Sequence, residues 1–327
     1  MVDNSKNFAE TIDGSATILN VAQIVADLRN VRVSSLEDRK RRNKPPKLPS
    51  RKVLAEIVEG IAAALFPNRL GLPDLTEDGI DYFVGHTLDT ALRELTAQVR
   101  LELDFSASLD LATPHISKDS AAAEKHTEQQ IAEARKVVKK FAETLPSIRI
   151  LLDSDILAAY EGDPAARSID EVLVCYPGIT AITHYRIAHV LHKLGMPLIA
   201  RIISEIAHSS TGIDIHPGAQ IHERFFIDHG TGVVIGETTI IGKNVRVYQA
   251  VTLGAKRFPT DESGMLIKGN ERHPIVEDDV VIYAGATILG RITIGRASAI
   301  GGNVWLTHSV PPESNISQAQ MRANQSQ

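Results

Sequence analysis

The feature that most restricts the fold of this sequence is an aliphatic residue at every sixth position of its C-terminal third. The longest run is Val276, Ile282, Ile288, Ile294, Ile300 and Leu306; an earlier run is Ile215, Ile221, Ile227 and Val233 and, after a slip of two residues, Ile235, Ile241, Val247 and Leu253. A period of six suits neither an α-helix, whose period is 3.6, nor a half-buried strand, whose period is 2. It suits a chain that turns a corner every six residues and places one inward anchor on each of three walls. The pattern therefore predicts the hexapeptide repeats of a left-handed parallel β-helix.

The first two thirds of the chain predict helices, so the predicted fold class is α+β. Apolar residues recur at three- and four-residue spacing in residues 51–66, 77–103, 120–143 and 178–208. The predicted domains are a helical N-terminal domain (1–210), the β-helix (211–312) and a polar tail (313–327). Residues 39–52 hold eight Lys or Arg residues and three Pro residues, which favours a solvated linker over an anion-binding patch.

Composition limits the classes of function. The formal net charge of −5 over 327 residues gives no indication of a nucleic acid or an anionic membrane as partner. No apolar run is long enough to span a bilayer, and the first residues lack the pattern of a secretory or transit signal. The single cysteine, Cys175, is expected to be a packed small hydrophobic residue. These features predict a cytoplasmic protein.

One long polar segment, residues 255–274, interrupts the six-residue repeat. Long loops on a rigid scaffold often serve a site, so this loop is a candidate active-site arm. Histidines cluster at the start of the coil and at the end of the loop: His208, His216, His222, His229 and His273. Such a cluster could bind zinc through three converging imidazoles, or supply one general base held by a carboxylate. His216 and His222 fall on successive walls and should point in different directions, which disfavours a zinc site within one subunit.

The spacing of Asp214 and His229 allows the second kind of site. They are fifteen residues apart, which predicts a separation of one strand spacing, about 4.8 Å, at one edge of the coil. A carboxylate in that position fixes the tautomer of a catalytic imidazole. Asp228 places a further carboxylate beside His229, and Arg272 with His273 would suit a bound carboxylate. Together these groups suit a small zwitterion that carries a hydroxyl.

Several ordered motifs resemble those of the serine O-acetyltransferases, a family of hexapeptide-repeat acyltransferases. They are Asp163-Pro164-Ala, Tyr185-Arg186-Ile-Ala-His189, Asp214-Ile-His-Pro-Gly-Ala, Asp228-His229-x-Thr-Gly, Val-Ile-Gly-Glu237-Thr, Val251-Thr-Leu-Gly254 and Arg272-His273-Pro. The resemblance covers about residues 160–312. It implies acetyl-coenzyme A as donor, L-serine as acceptor, O-acetyl-L-serine for cysteine biosynthesis as product, and no metal.

The resemblance also implies roles for individual residues. His229 is similar to the general base of the family and Asp214 to the residue that orients it. Four residues resemble the ligands of serine, with two for its ammonium and two for its carboxylate: Asp163 and Asp228, and Arg272 and His273. Three residues resemble the coenzyme A channel: Gly254, Ala284 and Gly302. Family members are trimers or dimers of trimers, with their sites in clefts between neighbouring coils.

Two features depart from the family, and three other functions stay open. The loop before Arg272 is longer than in the best-known members. The C-terminus lacks the isoleucine that inserts into cysteine synthase, so the resemblance does not extend to that complex. The alternatives are a hexapeptide acyltransferase for another amino acid or a sugar, a γ-type carbonic anhydrase with zinc held across a subunit interface, and a non-catalytic trimeric scaffold.

Overall fold

The structure, a computed structural model, describes residues 20–38, 47–109, 120–257 and 260–318. Contacts divide the chain into two compact units, residues 1–46 and 47–327. In the first unit, helix α1 spans Val21–Asp38, and its described side chains are exposed except for half-buried Ala26. Most of the basic segment predicted as a linker, residues 39–46, lies outside the described residues. Its last two residues, Arg51 and Lys52, begin helix α2.

The second unit begins with helices that proline and glycine separate. They are α2 (Arg51–Leu65), α3 (Pro67–Leu70), α4 (Glu77–Leu109), α5 (Ser120–Glu143), α6 (Leu145–Gly162), α7 (Ile169–Cys175), α8 (Pro177–Lys193) and α9 (Pro197–Thr211). The segment predicted as one helix over 178–208 is two helices, because Gly195 has φ +82° and Pro197 can only begin a new helix. Cys175 is exposed, so its predicted packing in the core is wrong.

A buried carboxylate joins two of these helices. Glu102 of α4 is 1 % exposed and accepts hydrogen bonds from the backbone N–H groups of Leu198 (2.7 Å) and Ile199 (2.8 Å), at the first turn of α9. These N–H groups have no partner within their own helix. Burial raises the pKa of Glu102 above its ordinary value, against the effect of these two bonds. The contact fixes α9, the helix that leads directly into the coil.

The rest of the unit is a left-handed parallel β-helix, as predicted. Its strands are β1 (Asp214–Ile215), β2 (Gln220–Ile221), β3 (Phe226–Ile227), β4 (Val234–Ile235), β5 (Ile240–Ile241), β6 (Arg246–Val247), β7 (Thr252–Gly254), β8 (Ile275–Val276), β9 (Val281–Ile282), β10 (Thr287–Leu289), β11 (Thr293–Ile294), β12 (Ala299–Ile300), β13 (Trp305–Leu306) and β14 (Asn315–Ile316). The first wall has the order β1-β4-β7-β10-β13, the second β11-β8-β5-β2 and the third β14-β12-β9-β6-β3. The predicted anchors on these strands are buried and fill the coil interior.

The strand register shows where the six-residue period slips by two residues. Asp214 pairs with Val234 in the first coil, whereas Thr287 pairs with Trp305 near the top, so the first coil is two residues longer. The extra residues lie in the turn between β3 and β4, which contains His229. Ile235 is therefore the anchor of the first wall, and Val233, predicted as an anchor, is the buried residue that precedes the strand.

The coil ends later than predicted. Strand β14 pairs with β12 through Ala299↔Asn315 and Ile300↔Ile316, inside the range assigned to the polar tail. The alternation of polar and apolar residues in this segment is too short to predict a strand. In the described part of the chain, no helix combines the length and apolar character that crossing a membrane requires.

Candidate active site

His229 lies at the corner where the third wall turns into the first. This corner, called here the His229 corner, comprises residues 228–233 with the turns 248–251, 283–286 and 301–304 stacked above it. His229 has a positive φ of +57°, and so do Ala250 (+58°) and Asn303 (+56°) in the stacked turns. Its side chain is 72 % exposed, and its Nε2 lies 3.8 Å from Oδ1 of Asp228. The long turn thus presents an imidazole beside a carboxylate, open to a bound molecule.

The helical region adds a second carboxylate to this corner. Asp163 follows α6, where Oδ1 accepts the N–H of Ala165 (2.8 Å) and Oδ2 accepts the hydroxyl of Tyr176 (2.5 Å). These hydrogen bonds lower the pKa of Asp163, with a smaller contribution from the charge of His229. Gly162, which precedes Asp163, lies against Phe226 of β3, the strand that leads into the His229 corner. Asp163, Asp228 and His229 are therefore brought together, as the sequence predicts.

A cation that the sequence analysis did not identify lies next to this group. The guanidinium of Arg246, on β6, lies over the ring of Phe226 at 5.2 Å and donates to the hydroxyl of Tyr248 at 3.3 Å. Its charge also lowers the pKa of Asp163. A Cβ at Gly162 would overlap the guanidinium, so this glycine makes room for it. Neither Arg246 nor Tyr176 belongs to a sequence motif named above, and only the fold brings them to the His229 corner.

Asp214 is not hydrogen-bonded to His229, contrary to the pairing predicted within one chain. In the longer first coil Asp214 pairs with Val234, so His229 lies five residues before the partner of Asp214 instead of the three expected for an eighteen-residue coil. The ligand atoms of Asp214, Glu205 and His208 instead lie within 4.8 Å of one another. Among the described residues this is the one group of such atoms that could hold a metal. Glu205 of this group also forms an ion pair with Arg201 at 2.6 Å, and its Oε2 lies 3.2 Å from Nδ1 of His208.

Arg272 and His273 lie at a different corner, where the first wall turns into the second. This corner, called here the Arg272 corner, comprises residues 236–239 and 290–292 and the end of the loop, 271–274. Thr238 organises it: its Oγ1 accepts the N–H groups of Arg272 (3.0 Å) and His273 (3.2 Å). The Arg272 guanidinium donates to Oε2 of Glu237 at 2.6 Å. The Arg291 guanidinium donates to the carbonyls of Thr238 and His273 and closes the corner.

His273 is held neutral in this corner. It is 7 % exposed, and burial together with the charge of Arg272 lowers its pKa to about 4. Its Nδ1 accepts the N–H of Thr238 at 3.1 Å, so the proton of the neutral ring is on Nε2. A Cβ at Gly236 would overlap this ring, which explains the glycine at that position. His273 is thus a fixed hydrogen-bond donor at neutral pH rather than a base.

The two corners are separated by the first wall. Residues 233–236 span it, and four residues of strand cover roughly 13 Å. Within one chain, the carboxylates and imidazole of the His229 corner therefore do not converge with Arg272 and His273. His216 and His222 follow different walls, and His222 is exposed. In the described ranges no three histidines meet, as a zinc site within one chain would need.

The residues predicted for the donor channel are also divided between the corners. Ala284 and Gly302 are stacked at the His229 corner, where the N–H of Asn303 donates to the carbonyl of Ala284 at 2.9 Å. Gly254 ends β7 at the Arg272 corner, where the loop 255–274 leaves the coil. A cavity of about 600 Å³ at the base of the loop is lined by the cationic side chains of Lys256, Arg257, Arg272 and Arg291 and by Glu271, which forms an ion pair with Arg291 at 3.2 Å. This surface could hold an anionic group.

The fold and its corner sites define a hexapeptide-repeat protein of the left-handed β-helix class. Among curated proteins, a serine acetyltransferase of Synechococcus elongatus is 58 % identical over 277 residues, which are 85 % of this chain and 84 % of the relative. The serine acetyltransferase of Bacillus subtilis is 48 % identical over 166 residues, 51 % of this chain and 72 % of the relative. The chain therefore belongs to the serine acetyltransferase family. No protein-family model matches the sequence.

Solved structures agree with this assignment. Serine acetyltransferase 1 of Entamoeba histolytica in complex with L-cysteine has a TM-score of 0.67 and 35 % identity, and the match covers 84 % of this chain and 89 % of that one. The Neisseria gonorrhoeae serine acetyltransferase in complex with serine has a TM-score of 0.50 and 26 % identity, with 81 % and 94 % covered. The resemblance inferred from the motifs is thus confirmed.

Proposed function

We propose that this protein transfers the acetyl group of acetyl-coenzyme A to the hydroxyl of L-serine, giving O-acetyl-L-serine for cysteine biosynthesis. Family membership supports the reaction, and one observation supports the location: Asp163, Asp228 and His229 share the open corner of the coil. The two solved relatives named above bind serine and L-cysteine, which share the ammonium and carboxylate groups that this proposal assigns to the acceptor.

His229 is the proposed general base. A serine hydroxyl is a weak nucleophile at neutral pH, so the imidazole removes its proton as Oγ attacks the thioester carbonyl. The same imidazolium then gives the proton to the departing thiolate of coenzyme A, which balances the transfer. A base in this position contributes about 10²–10⁴ in rate. Asp214 stays the proposed orienting residue of this imidazole.

The acceptor's two charges are assigned to different corners. Asp163 and Asp228 face the ammonium, and the lowered pKa of Asp163 keeps it ionised at neutral pH. Arg272 offers its remaining guanidinium N–H groups to the carboxylate, and His273 offers its Nε2–H. Fixing both ends of serine converts two bound molecules into neighbours for reaction. Gly254, Ala284 and Gly302 are the proposed wall of the donor channel.

We further propose that the complete site forms between two copies of the chain. The His229 corner of one copy would meet the Arg272 corner of the next, a head-to-tail contact that closes into a ring such as a trimer. The separation of these corners by the first wall supports this arrangement. The cytoplasmic location stays a prediction from the sequence.

The test of the reaction is thiol release from acetyl-coenzyme A with L-serine, homoserine, O-phosphoserine and a sugar acceptor in parallel. Rapid release with L-serine alone supports the proposal. Release with another acceptor and not with serine would keep an acyltransferase and overturn the substrate. No release with any acceptor, together with carbon dioxide hydration by a zinc-loaded sample, would favour the carbonic anhydrase alternative.

The test of the shared site is complementation between two inactive variants. At a serine concentration well below KM, His229→Ala should lower the rate by at least about 10² through loss of the base. Arg272→Ala should lower it about tenfold or more through loss of charged hydrogen bonds to the serine carboxylate. When equal amounts are unfolded together and refolded as mixed rings, about a quarter of the sites combine an intact His229 with an intact Arg272. Thiol release should therefore return to roughly a quarter of the wild-type rate. A mixture as inactive as its components would show that each site lies within one chain.

A further inference from the structure

Tyr176 occupies the junction of two helices beside the acceptor site. Its backbone N–H ends α7 by donating to the carbonyl of Val172 at 3.2 Å, and Pro177 begins α8 directly after it. The half-buried side chain reaches the end of α6, where its hydroxyl donates to Oδ2 of Asp163 at 2.5 Å. Because Oδ1 of Asp163 accepts the N–H of Ala165, both carboxylate oxygens have a fixed partner.

The hydrogen bond to Asp163 and two further nearby carboxylates keep this phenol a donor. Its hydrogen bond to Asp163, with burial and the nearby charges of Glu171 and Asp228, raises the pKa of Tyr176 to about 12. The hydroxyl therefore stays protonated at neutral pH. It lies within electrostatic reach of both carboxylates assigned to the serine ammonium. The groups that face Asp163 itself are Tyr176, His229 and Arg246.

Asp163 has a competing partner in Arg246. The guanidinium already influences the carboxylate electrostatically, and its contacts with Phe226 and Tyr248 leave it beside Gly162. A carboxylate released from the phenol could turn to form an ion pair with Arg246. That ion pair would neutralise the charge that the acceptor's ammonium needs.

We propose that Tyr176 is a positioning residue that holds the Asp163 carboxylate towards the ammonium group of the acceptor and away from Arg246. The inference rests on the proposed function. It assigns to Tyr176 a role in binding the amino-acid acceptor and none in the acetyl transfer step itself. Its variants should therefore affect the KM for serine far more than kcat.

The first test is Tyr176→Phe, which removes one hydroxyl and keeps the ring. Loss of a hydrogen bond to a charged group predicts a rise of about tenfold or more in the KM for L-serine. The kcat and the KM for acetyl-coenzyme A should change by less than about twofold. The matched control is Tyr160→Phe: Tyr160 lies on α6, is 37 % exposed, and its hydroxyl has no hydrogen bond among the described residues. This control should match the wild type.

The second test is a double-mutant cycle with Asp163→Asn. If Tyr176 acts through Asp163, adding Tyr176→Phe to Asp163→Asn should raise the KM for serine no further. In the single variant, the acid limb of kcat/KM for serine should move to higher pH, because Asp163 loses the hydrogen bond that lowers its pKa.

Two results would overturn the inference: an unchanged KM for serine in Tyr176→Phe, or effects of the two changes that multiply in the double variant. Wild-type protein that releases no thiol with serine would instead reject the proposed function. The two failures are therefore distinguishable.

Discussion

Replacement of Arg186 by alanine tests the contact that joins the helices to the coil. Arg186 of α8 is 5 % exposed and forms an ion pair with fully buried Asp155 of α6, through its Nε at 3.1 Å and its Nη2 at 3.0 Å. The guanidinium also donates to the carbonyls of Ile221 and His222 in the first coil. Asp155 in turn accepts the N–H of Phe225 at 2.9 Å. One buried pair thus connects two helices with the turn that precedes the His229 corner.

The cost of Arg186→Ala follows from what it leaves behind. Asp155 keeps one backbone donor in a site without water access, and two carbonyls lose a charged donor. Removal of one partner from a buried ion pair costs about 3–5 kcal/mol. Since the whole fold is stabilised by about 5–15 kcal/mol, a large part of the stability should be lost. A double replacement by apolar residues of similar volume, Asp155→Leu with Arg186→Met, should cost less than the single change, because it leaves no unpaired charge.

The assay is urea unfolding at one protein concentration, which gives the free energy of unfolding and its slope with urea concentration for each variant. The matched control is Arg69→Ala, which breaks an ion pair to Asp170 at 2.7 Å whose side chains are both about half exposed. Surface pairs contribute little, so the control should remain close to the wild type. If Arg186→Ala were no more destabilising than Arg69→Ala, the argument that this buried pair joins the two parts of the unit would be refuted.

Two further predictions concern the Arg272 corner. Gly236→Ala should displace the His273 ring and raise the KM for serine. The control is Gly85→Ala on helix α4, where a new Cβ meets nothing within 4 Å; it should leave activity unchanged and stabilise the fold by about 0.4–1 kcal/mol. Equal kinetics for the two variants would contradict the packing argument. The unfolded chain binds a proton at His273 near pH 6.5 and the folded chain only near pH 4, so stability should fall as the pH falls from 6.5 to 4. In His273→Asn this part of the pH dependence of urea unfolding should disappear, and an unchanged profile would show that another group causes it.

The coil could be predicted from sequence because its fold repeats a short-range rule. Each anchor such as Ile282 or Ile288 is specified by its position within six residues, without knowledge of distant contacts. The six-residue period also shows where the coil is irregular, because it slips by two residues at the turn that contains His229. The error at Val233 arose because both that residue and Ile235 are buried, so burial alone does not show which of them lies on the strand.

Contacts between the helices and the coil could not be predicted in this way. Tyr176 and Arg246 reach Asp163 because α6, the α7–α8 junction and β6 converge, and no local period encodes that convergence. Asp214 and His229 form no hydrogen bond in the structure for a related reason. The prediction assumed an eighteen-residue coil, whereas Asp214 pairs with Val234 in a coil of twenty residues.

That longer turn links the irregularity of the repeat to the chemistry. A coil of uniform length would place a compact four-residue turn at this corner, as it does at residues 248–251 and 283–286. The two additional residues, with glycines at φ +92° and +80° in Gly230 and Gly232, allow the turn to project His229 away from the coil. The imidazole of His229 is 72 % exposed, whereas Arg272 and His273 are fixed by Thr238 at the other edge of the first wall. The projecting base and the fixed binding corner lie at opposite edges of the first wall, and this separation favours the proposed site shared between chains.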